Sequence, residues 1–199
     1  MVERTDAVGG PGAGTGDVAG EVAGEELAGP RAAAGVAAVV ALPPRRAVEL
    51  LLGCCAAPRW AHRVVARRPH RTPQALLAAV AEELRAAPEA DVDAALAAHP
   101  RIGERPAGAD SRREQAGVLT AGADVLAALA EGNRAYEERF GHVYLVRASG
   151  RSAAELLALL RARLGNDPTT ERAVLRGELL AITVLRLRRA LDELAGVAA

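Results

Sequence analysis

Apolar side chains recur every three or four residues along most of this chain, the spacing that places them on one face of an α-helix. The chain is therefore predicted to form one helix after another, with short breaks between them. Predicted helices cover residues 45–56, 91–99, 111–139 with a break near 117–122, and 168–194, and three more begin at residues 58, 73 and 152.

Several of these helices are preceded by residues that favour a helix start. Such starts are Thr72-Pro73, Asp167-Pro168 and the capping box Ser152-Ala-Ala-Glu155. Asp91 is predicted to cap a short helix that ends near His99, because Pro100 disfavours helical geometry in the residue before it.

One run of residues, 142–146, has β-like character. It contains Val143, Tyr144, Leu145 and Val146. A single strand has no partner with which to form a sheet. The sequence therefore predicts an all-α fold, a single-domain helical bundle with one short extended segment near residues 143–148.

The start of the chain differs in composition from the rest. Residues 1–35 are mostly Gly, Ala, Glu and Asp, with almost no large side chains. Such a segment buries too little apolar surface to offset its ordering entropy, so it is predicted to be a disordered tail. The folded domain is predicted to span residues 36–196, enough to bury about 70% of its unfolded surface.

The charges of the chain are balanced, since 25 basic residues, all of them arginine, match 25 acidic ones. A binder of nucleic acid or of a membrane surface would show a basic excess or stripe, so neither partner is expected. The longest apolar run, residues 32–42, is much shorter than the ~20 residues that span a bilayer. No basic segment of a secretory signal precedes it, and a cytoplasmic protein is expected.

Cysteine and histidine usage indicates neither a disulfide nor a metal site. Cys54 and Cys55 are adjacent, so a bridge between them would be strained, and they are predicted to be small core residues in a reducing compartment. The four histidines lack the spacing of zinc ligands, and no metal is expected. His62 and His70 lie among arginines and are predicted to be solvated.

The last predicted helix carries a charge within its apolar face. The apolar sector is formed by Leu175, Leu179 and Ile182, and the polar face by Glu178, Arg188, Arg189 and Asp192. Arg186 falls in the middle of the apolar sector, where burial is costly unless the guanidinium meets an anion. It is predicted either to snorkel or pair with a structural carboxylate, or to bind a carboxylate ligand bidentately.

His99 is a second candidate for chemistry. It closes a predicted helix beside a glycine-containing loop, and Pro100 directs the chain away from it. A histidine at such a turn could act as an acid or base near neutral pH. The alternative is a histidine that only ends a helix and interacts with its dipole.

Ser111 and Glu114 have the spacing of a capping box, and Gln115 follows them. The spacing by itself favours a structural role at a helix start. The N-terminus of a helix also exposes free backbone N–H groups, which could bind a polar substrate beside Glu114.

Several short motifs occur in an order that resembles one known family. They are Leu51-Leu-Gly-Cys-Cys-Ala-Ala-Pro-Arg-Trp60, Arg68-Pro69, Ala98-His-Pro-Arg-Ile-Gly103, Ser111-Arg-Arg-Glu-Gln-Ala-Gly117, Asn133-Arg-Ala-Tyr136, Arg139-Phe-Gly141 and Ile182-Thr-Val-Leu-Arg-Leu187. Over about residues 42–194 the ordered set is similar to 2-oxo-4-hydroxy-4-carboxy-5-ureidoimidazoline (OHCU) decarboxylase, an enzyme of the route from urate to allantoin.

The resemblance implies an all-α decarboxylase that needs no cofactor, is usually a homodimer, and converts OHCU to (S)-allantoin and carbon dioxide. The family's catalytic residues match His99, Glu114 and Arg186. Its substrate-contacting side chains match Pro100, Ser111 and Gln115. Its segment that offers backbone groups to the ring matches Tyr144, Leu145, Val146, Arg147 and Ala148.

Within this resemblance, His99 is expected to be the general acid and base and Arg186 to hold an oxygen of the substrate. Glu114 is expected either to orient His99 or to hold the ureido N–H groups. Alternatives stay open: a helical interaction module of the same fold that has lost catalysis, or a decarboxylase of a related ureido acid. A nucleic-acid-binding regulator is disfavoured by the neutral charge.

Overall fold

The structure, a computed structural model, describes residues 30–104, 108–118 and 120–197, and this part of the chain forms nine helices and no strand. The all-α prediction is confirmed. The helices are α1 (Pro30–Ala41), α2 (Pro44–Cys54), α3 (Pro58–Ala66), α4 (Pro73–Arg85), α5 (Glu89–Ala97), α6 (Ala109–Glu114), α7 (Ala123–Phe140), α8 (Ala153–Arg163) and α9 (Pro168–Val197).

The predicted helix starts at α4, α8 and α9 are confirmed by their hydrogen bonds. The Thr72 hydroxyl accepts from the backbone N–H of Ala75 at 3.1 Å. Ser152 and Glu155 form the reciprocal capping box of α8. At the start of α9 the Asp167 carboxylate accepts from two backbone N–H groups, each at 3.0 Å. Local side-chain chemistry is sufficient to define these three boundaries.

Asp91 does not cap α5, which corrects the sequence prediction. The N-cap position is Pro88, and α5 begins at Glu89, so Asp91 lies inside the first turn. Its carboxylate is buried and lies 3.8 Å from Arg59 and 3.7 Å from Arg63 of α3. The helix starts earlier than predicted because Pro88 itself supplies a dihedral angle compatible with a helix entry.

The N-terminal helix α1 shortens the predicted tail. Residues 30–35 of that tail are helical, and residues 1–29 lie outside the described part of the chain. The buried face of α1 contains Val36 and Val39 and packs along α9. The two helices approach so closely at Gly35 that a Cβ atom there would lie 2.8 Å from the carbonyl carbon of Leu191.

Buried apolar residues form two clusters that meet at residues 144–146, where Leu145 belongs to the first and its two neighbours to the second. The first joins α1 to α5 with α9 around Trp60 and Leu179. The second joins α7 and α8 with the segment after α7, around Tyr136 and Leu156. His99 is placed at the junction, because it follows α5 of the first cluster while Ile102, three residues later, belongs to the second.

The predicted extended segment follows α7 and runs without a strand partner. Gly141 ends α7 in the left-handed region, with φ of 75°, which turns the chain out of the helix. Hydrogen bonds from side chains then hold this backbone in place of the hydrogen bonds that a neighbouring strand would make in a sheet. Arg163 donates to the carbonyl of Leu145 at 2.8 Å, and the carboxylate of Glu178 accepts from the N–H of Arg147 at 2.7 Å.

The longest helix, α9, lies against both clusters and has the amphipathic character that its sequence predicts. Leu175, Leu179 and Ile182 are buried on its inner face, and Arg186 follows them on that face. Among the described residues, no helix is both long enough and apolar enough to cross a membrane.

Candidate active site

A small cleft opens where the two apolar clusters meet, with an empty volume of about 270 Å³. Its lining residues are His99, Pro100, Ile102, Ser111, Glu114, Gln115, Leu145, Val146, Ala148, Ile182 and Arg186. The cleft therefore brings together every candidate site residue of the sequence analysis except Tyr144 and Arg147. They come from the end of α5, from α6, from α9 and from the extended segment.

His99 is held in one orientation by its own helix. It is 8% exposed, and its Nδ1 lies 2.7 Å from the carbonyl oxygen of Ala95. A carbonyl can only accept, so Nδ1 carries the hydrogen of the neutral ring and Nε2 has a free lone pair. Nε2 is buried and has no hydrogen-bond partner in the described structure, which leaves it available to a ligand in the cleft.

The surroundings of His99 favour its neutral form. Burial is the largest cause that lowers its pKa, and the nearby Arg186 guanidinium acts in the same direction. The hydrogen bond to Ala95 and the Glu114 carboxylate oppose this but do not reverse it. The imidazole is therefore prepared to accept a proton at neutral pH.

Arg186 and Glu114 form a buried, bidentate ion pair across the cleft. Nε and Nη2 of Arg186 each donate to one carboxylate oxygen of Glu114 at 2.9 Å, and the two side chains are only 11% and 9% exposed. Nη2 also lies 3.4 Å from the Ser111 hydroxyl. Of the alternatives that the sequence left open for Arg186, the structure shows the pairing with a carboxylate of the chain, that of Glu114.

This pairing decides what Glu114 contacts. The carboxylate does not orient His99, because the carbonyl of Ala95 occupies that position. Arg189, predicted to lie on the solvated face of α9, reaches Glu114 as well, at 3.4 Å. Glu114 thus accepts from two arginines, one inside the cleft and one at its edge.

The capping box predicted at Ser111 is wrong. Helix α6 begins at Ala109 after Gly108, so Ser111 lies within it and Glu114 is its last residue. The helix starts earlier because Gly108 adopts the extended conformation of an N-cap. Ser111 and Glu114 are instead one turn apart on the face towards Arg186, and Glu114 lies at the C-terminus of α6 rather than at its N-terminus.

Gln115 lines the cleft but uses its amide to support the loop after His99. Its Oε1 accepts from the N–H of Gly103 at 2.9 Å, and its Nε2 donates to the carbonyl of Arg101 at 3.2 Å. Asn133, buried in α7, donates to the carbonyl of Ile102 between them at 2.8 Å. These amides hold the backbone that follows His99 and Pro100.

Tyr144 and Arg147 lie on the extended segment but outside the lining of the cleft. The Tyr144 ring packs in the second cluster, edge-on to Tyr136 at 5.2 Å, with the Arg163 guanidinium 4.8 Å from its centre. Arg147 contributes its backbone N–H to Glu178. Simple alternation does not account for this division, because Tyr144 shares the second cluster with Val146 and Ala148, which do line the cleft.

Several residues of the site were not identified from the sequence. Ile102 and Ile182 form apolar walls of the cleft, and Asn133 and Glu178 hold its backbone. Ile182 was placed on the apolar face of the last helix, where the neighbouring Arg186 could have marked it as a wall residue. Asn133 belongs to one of the motifs that carry the family resemblance, which was the available signal, whereas Glu178 has no local pattern that distinguishes it from the other polar residues on its face of the helix.

His70 is also corrected. It is 5% exposed rather than solvated, and its Nε2 lies 3.1 Å from the carbonyl of Val64. The arginines next to it in sequence point elsewhere, since Arg68 reaches the carbonyl groups at the end of α1. His70 is therefore a buried histidine held against α3.

A larger cavity, with an empty volume of about 730 Å³, lies between α5 and the end of α7. Its carboxylates are already engaged, Asp93 with Arg172 and Glu137 with Arg101. Among residues 30–104, 108–118 and 120–197, no group of His, Cys, Asp and Glu could hold a metal ion. We therefore take the smaller cleft as the candidate active site.

Fold and cleft together define a class of protein: a helical bundle that presents a neutral histidine beside a buried arginine–carboxylate pair. Such a site suits acid–base chemistry on a small, oxygen-rich anion. The family model of OHCU decarboxylase matches residues 40–188. The chain belongs to this family.

Related proteins agree with this assignment. The uric acid degradation bifunctional protein TTL of Arabidopsis thaliana is 34% identical over 111 residues, which are 52% of this chain and 34% of that protein. This chain thus spans about a third of the length of that relative. The 2-oxo-4-hydroxy-4-carboxy-5-ureidoimidazoline decarboxylase of Amia calva is 32% identical over 128 residues, 61% of this chain and 73% of that one.

Solved structures share the fold. A crystal structure of OHCU decarboxylase in the presence of (S)-allantoin has a TM-score of 0.64 and 30% identity, and covers 71% of this chain and 96% of that chain. A crystal structure of (S)-allantoin synthase has a TM-score of 0.61 at 18% identity, covering 78% of this chain and 53% of that one. The second likeness concerns the fold alone.

Proposed function

We propose that this protein is a carboxy-lyase that decarboxylates OHCU to (S)-allantoin and carbon dioxide in urate catabolism. The observation that carries the proposal is the meeting of His99, Glu114 and Arg186 in one cleft, although they come from separate parts of the chain: the turn after α5, the end of α6, and α9. Membership of the OHCU decarboxylase family supports the same substrate.

Arg186 binds the negative charge of the substrate. Its Nε and Nη2 already hold Glu114, so the guanidinium is fixed in the plane of that carboxylate before a ligand arrives. A guanidinium has five N–H donors, and those that Glu114 does not use can reach a carboxylate or carbonyl oxygen. Glu114 therefore acts first on Arg186, by orienting it.

His99 moves a proton while the ring holds the electrons. The bond between the ring carbon and the carboxylate breaks and carbon dioxide leaves. The electron pair of that bond forms a C=C bond to the neighbouring ring carbon, while the C=N electrons at that carbon move to the ring nitrogen, which takes up a proton from solvent; the product of this step is an enol. Nε2 of His99 accepts the hydroxyl proton and delivers it to the neighbouring ring carbon, so that the hydroxyl becomes a carbonyl. Delivery from one side produces one enantiomer.

The protein contributes the orientation of the substrate and the placement of charges around it, because the ring itself accepts the electron pair. Ile102, Ile182 and Val146 provide apolar walls that exclude water from the reacting carbon. The backbone of Leu145, Val146 and Ala148 offers hydrogen-bonding groups to the ring. An interaction module without catalysis is disfavoured, since all three proposed catalytic residues are present and assembled. A related ureido acid is the remaining alternative substrate.

The proposal includes a homodimer, as the family resemblance implies, and the cytoplasmic location that the sequence analysis predicts. Sedimentation at micromolar concentration would measure the oligomeric state, and a monomer of about 20.5 kDa would contradict it.

Circular dichroism of the product tests the reaction. Freshly generated OHCU decays without enzyme to racemic allantoin, which gives no lasting signal, so a growing signal of the S enantiomer reports catalysis. His99→Ala and His99→Asn are expected to abolish the signal while the far-ultraviolet spectrum of the helices stays unchanged. His62→Ala removes an exposed histidine remote from the cleft and is the matched control. A flat trace from folded wild-type protein would overturn the proposal.

A further inference from the structure

The extended segment forms one wall of the cleft, yet no strand supports it. Leu145, Val146 and Ala148 line the cleft, and the backbone between them is offered to the ligand in the proposed function. Within a sheet, ladder hydrogen bonds would hold such a backbone. Here its position depends on side chains from other elements.

Glu178 is the side chain that acts at the centre of this wall. Its Oε2 accepts from the N–H of Arg147 at 2.7 Å, and Arg147 lies between Val146 and Ala148. Its other oxygen lies 3.7 Å from Arg151, which donates in turn to the carbonyl of Arg147 at 3.3 Å. The carboxylate is 20% exposed, so this charge-assisted hydrogen bond is largely protected from water.

The placement of Glu178 on α9 links two walls of the cleft. Arg186 lies eight residues further along the same helix, a rise of about 12 Å. A single rigid helix therefore sets the position of the guanidinium and, through Glu178, the position of the backbone opposite it. A shift of the segment would change the distance between the two groups that a ligand must contact at once.

We propose that Glu178 is a positioning residue of this enzyme: it fixes the amide of Arg147 and thereby holds the Val146–Ala148 backbone at the distance from Arg186 that the ligand requires. The inference rests on the proposed function for its kinetic consequence. Its structural consequence, an ordered Val146–Ala148 backbone, can be measured without substrate.

Three substitutions separate the hydrogen bond from the charge. Glu178→Gln keeps an oxygen that can accept from Arg147, Glu178→Asp keeps the charge but is one methylene too short to reach, and Glu178→Ala loses both. We expect kcat/KM to fall about 10-fold or more in the Asp and Ala variants, mainly through KM, and to stay within about 3-fold of wild type in the Gln variant. Glu193→Ala, which removes an exposed glutamate of the same helix, is the control and should match wild type.

Amide hydrogen exchange supplies a readout that does not depend on turnover. The amides of residues 146–148 should exchange faster in the Asp variant than in wild type or the Gln variant, whereas those of α9 should not change. Wild-type kcat/KM in the Asp variant, or equal exchange in the Asp and Gln variants, would overturn the role of Glu178. If wild type itself forms no (S)-allantoin, the proposed function fails while the exchange experiment still decides the positioning role.

Discussion

At the scale of single residues, His99 illustrates how little of a site depends on residue type alone. The neutral form of this histidine is favoured because its ring is buried, with Arg186 close by, and its Nδ1 is hydrogen-bonded to Ala95. His70 is buried as well, but it does not line the cleft. Two buried histidines with lowered pKa values therefore differ in whether they face the cleft.

The pH dependence of catalysis should reflect the lowered pKa of His99. Since the usual value is near 6.5 and burial lowers it, Nε2 remains unprotonated at neutral pH and gains its proton only below that value. We expect kcat/KM to be flat between pH 8 and about 6.5 and to decrease at more acid pH. Product-detected kinetics between pH 5 and 8 measure the profile.

A matching control uses the second buried histidine. His70→Gln should leave this pH profile unchanged, because His70 lies outside the cleft. A midpoint above pH 6.5 in wild type would contradict the assignment of His99 as a buried neutral base.

At the scale of elements, the sequence predicted which segments are helical better than it predicted where some of these helices begin and what they contact. The starts of α4, α8 and α9 follow from side chains within three residues, and the structure confirms them. Asp91 and Ser111 have the same local chemistry but lie inside helices that begin earlier. The two helices begin instead after Pro88 and Gly108, which precede Asp91 and Ser111 in the sequence. The spacing of apolar residues does not show which of two neighbouring start signals is used.

The crossing of α1 and α9 gives a prediction about helix packing. Gly35→Ala should destabilise the protein by about 1–3 kcal/mol, because the added Cβ would lie 2.8 Å from a backbone carbon of Leu191 and the helices would have to separate. Gly177→Ala in α9 is the matched control, since no atom lies within 4 Å of its added Cβ. It should stabilise by about 0.5–1 kcal/mol through helix propensity.

Urea unfolding followed by circular dichroism measures both variants of this pair. Equal effects of the two substitutions would show that α1 does not pack closely on α9 in solution. Because the family model begins at residue 40, the result would also show whether a helix outside the matched region contributes to stability.

At the scale of the whole molecule, a buried polar network joins the second cluster to the wall of the cleft. Arg163 donates to Glu171 at 2.8 Å and to the carbonyl of Leu145, and its side chain is 8% exposed while that of Glu171 is fully buried. Tyr136 and Asn166 complete the partners of the carboxylate. The network connects α7, α8 and α9 to the extended segment.

Removing only the arginine of this network should lower the free energy of unfolding more than removing both charges. Arg163→Met leaves the charge of Glu171 buried without its partner, which costs about 3–5 kcal/mol of the free energy of unfolding. Adding Glu171→Gln removes that charge and should recover part of the loss. Urea unfolding of the single and double variants tests this, and a double variant less stable than Arg163→Met would contradict the explanation.

The sequence by itself determined most of the helices, though not α1 or the starts of α5 and α6, together with the apolar face that contains Arg186, the turn at His99 and the family. These features depend on side chains a few residues apart and on ordered motifs, and both are present in the sequence. Only the tertiary structure decided that Arg186 holds Glu114, 72 residues away, and that Glu178 holds the amide of Arg147, 31 residues away. The physical reason is that such pairs form when helices pack at a particular distance and rotation, which local periodicity does not specify.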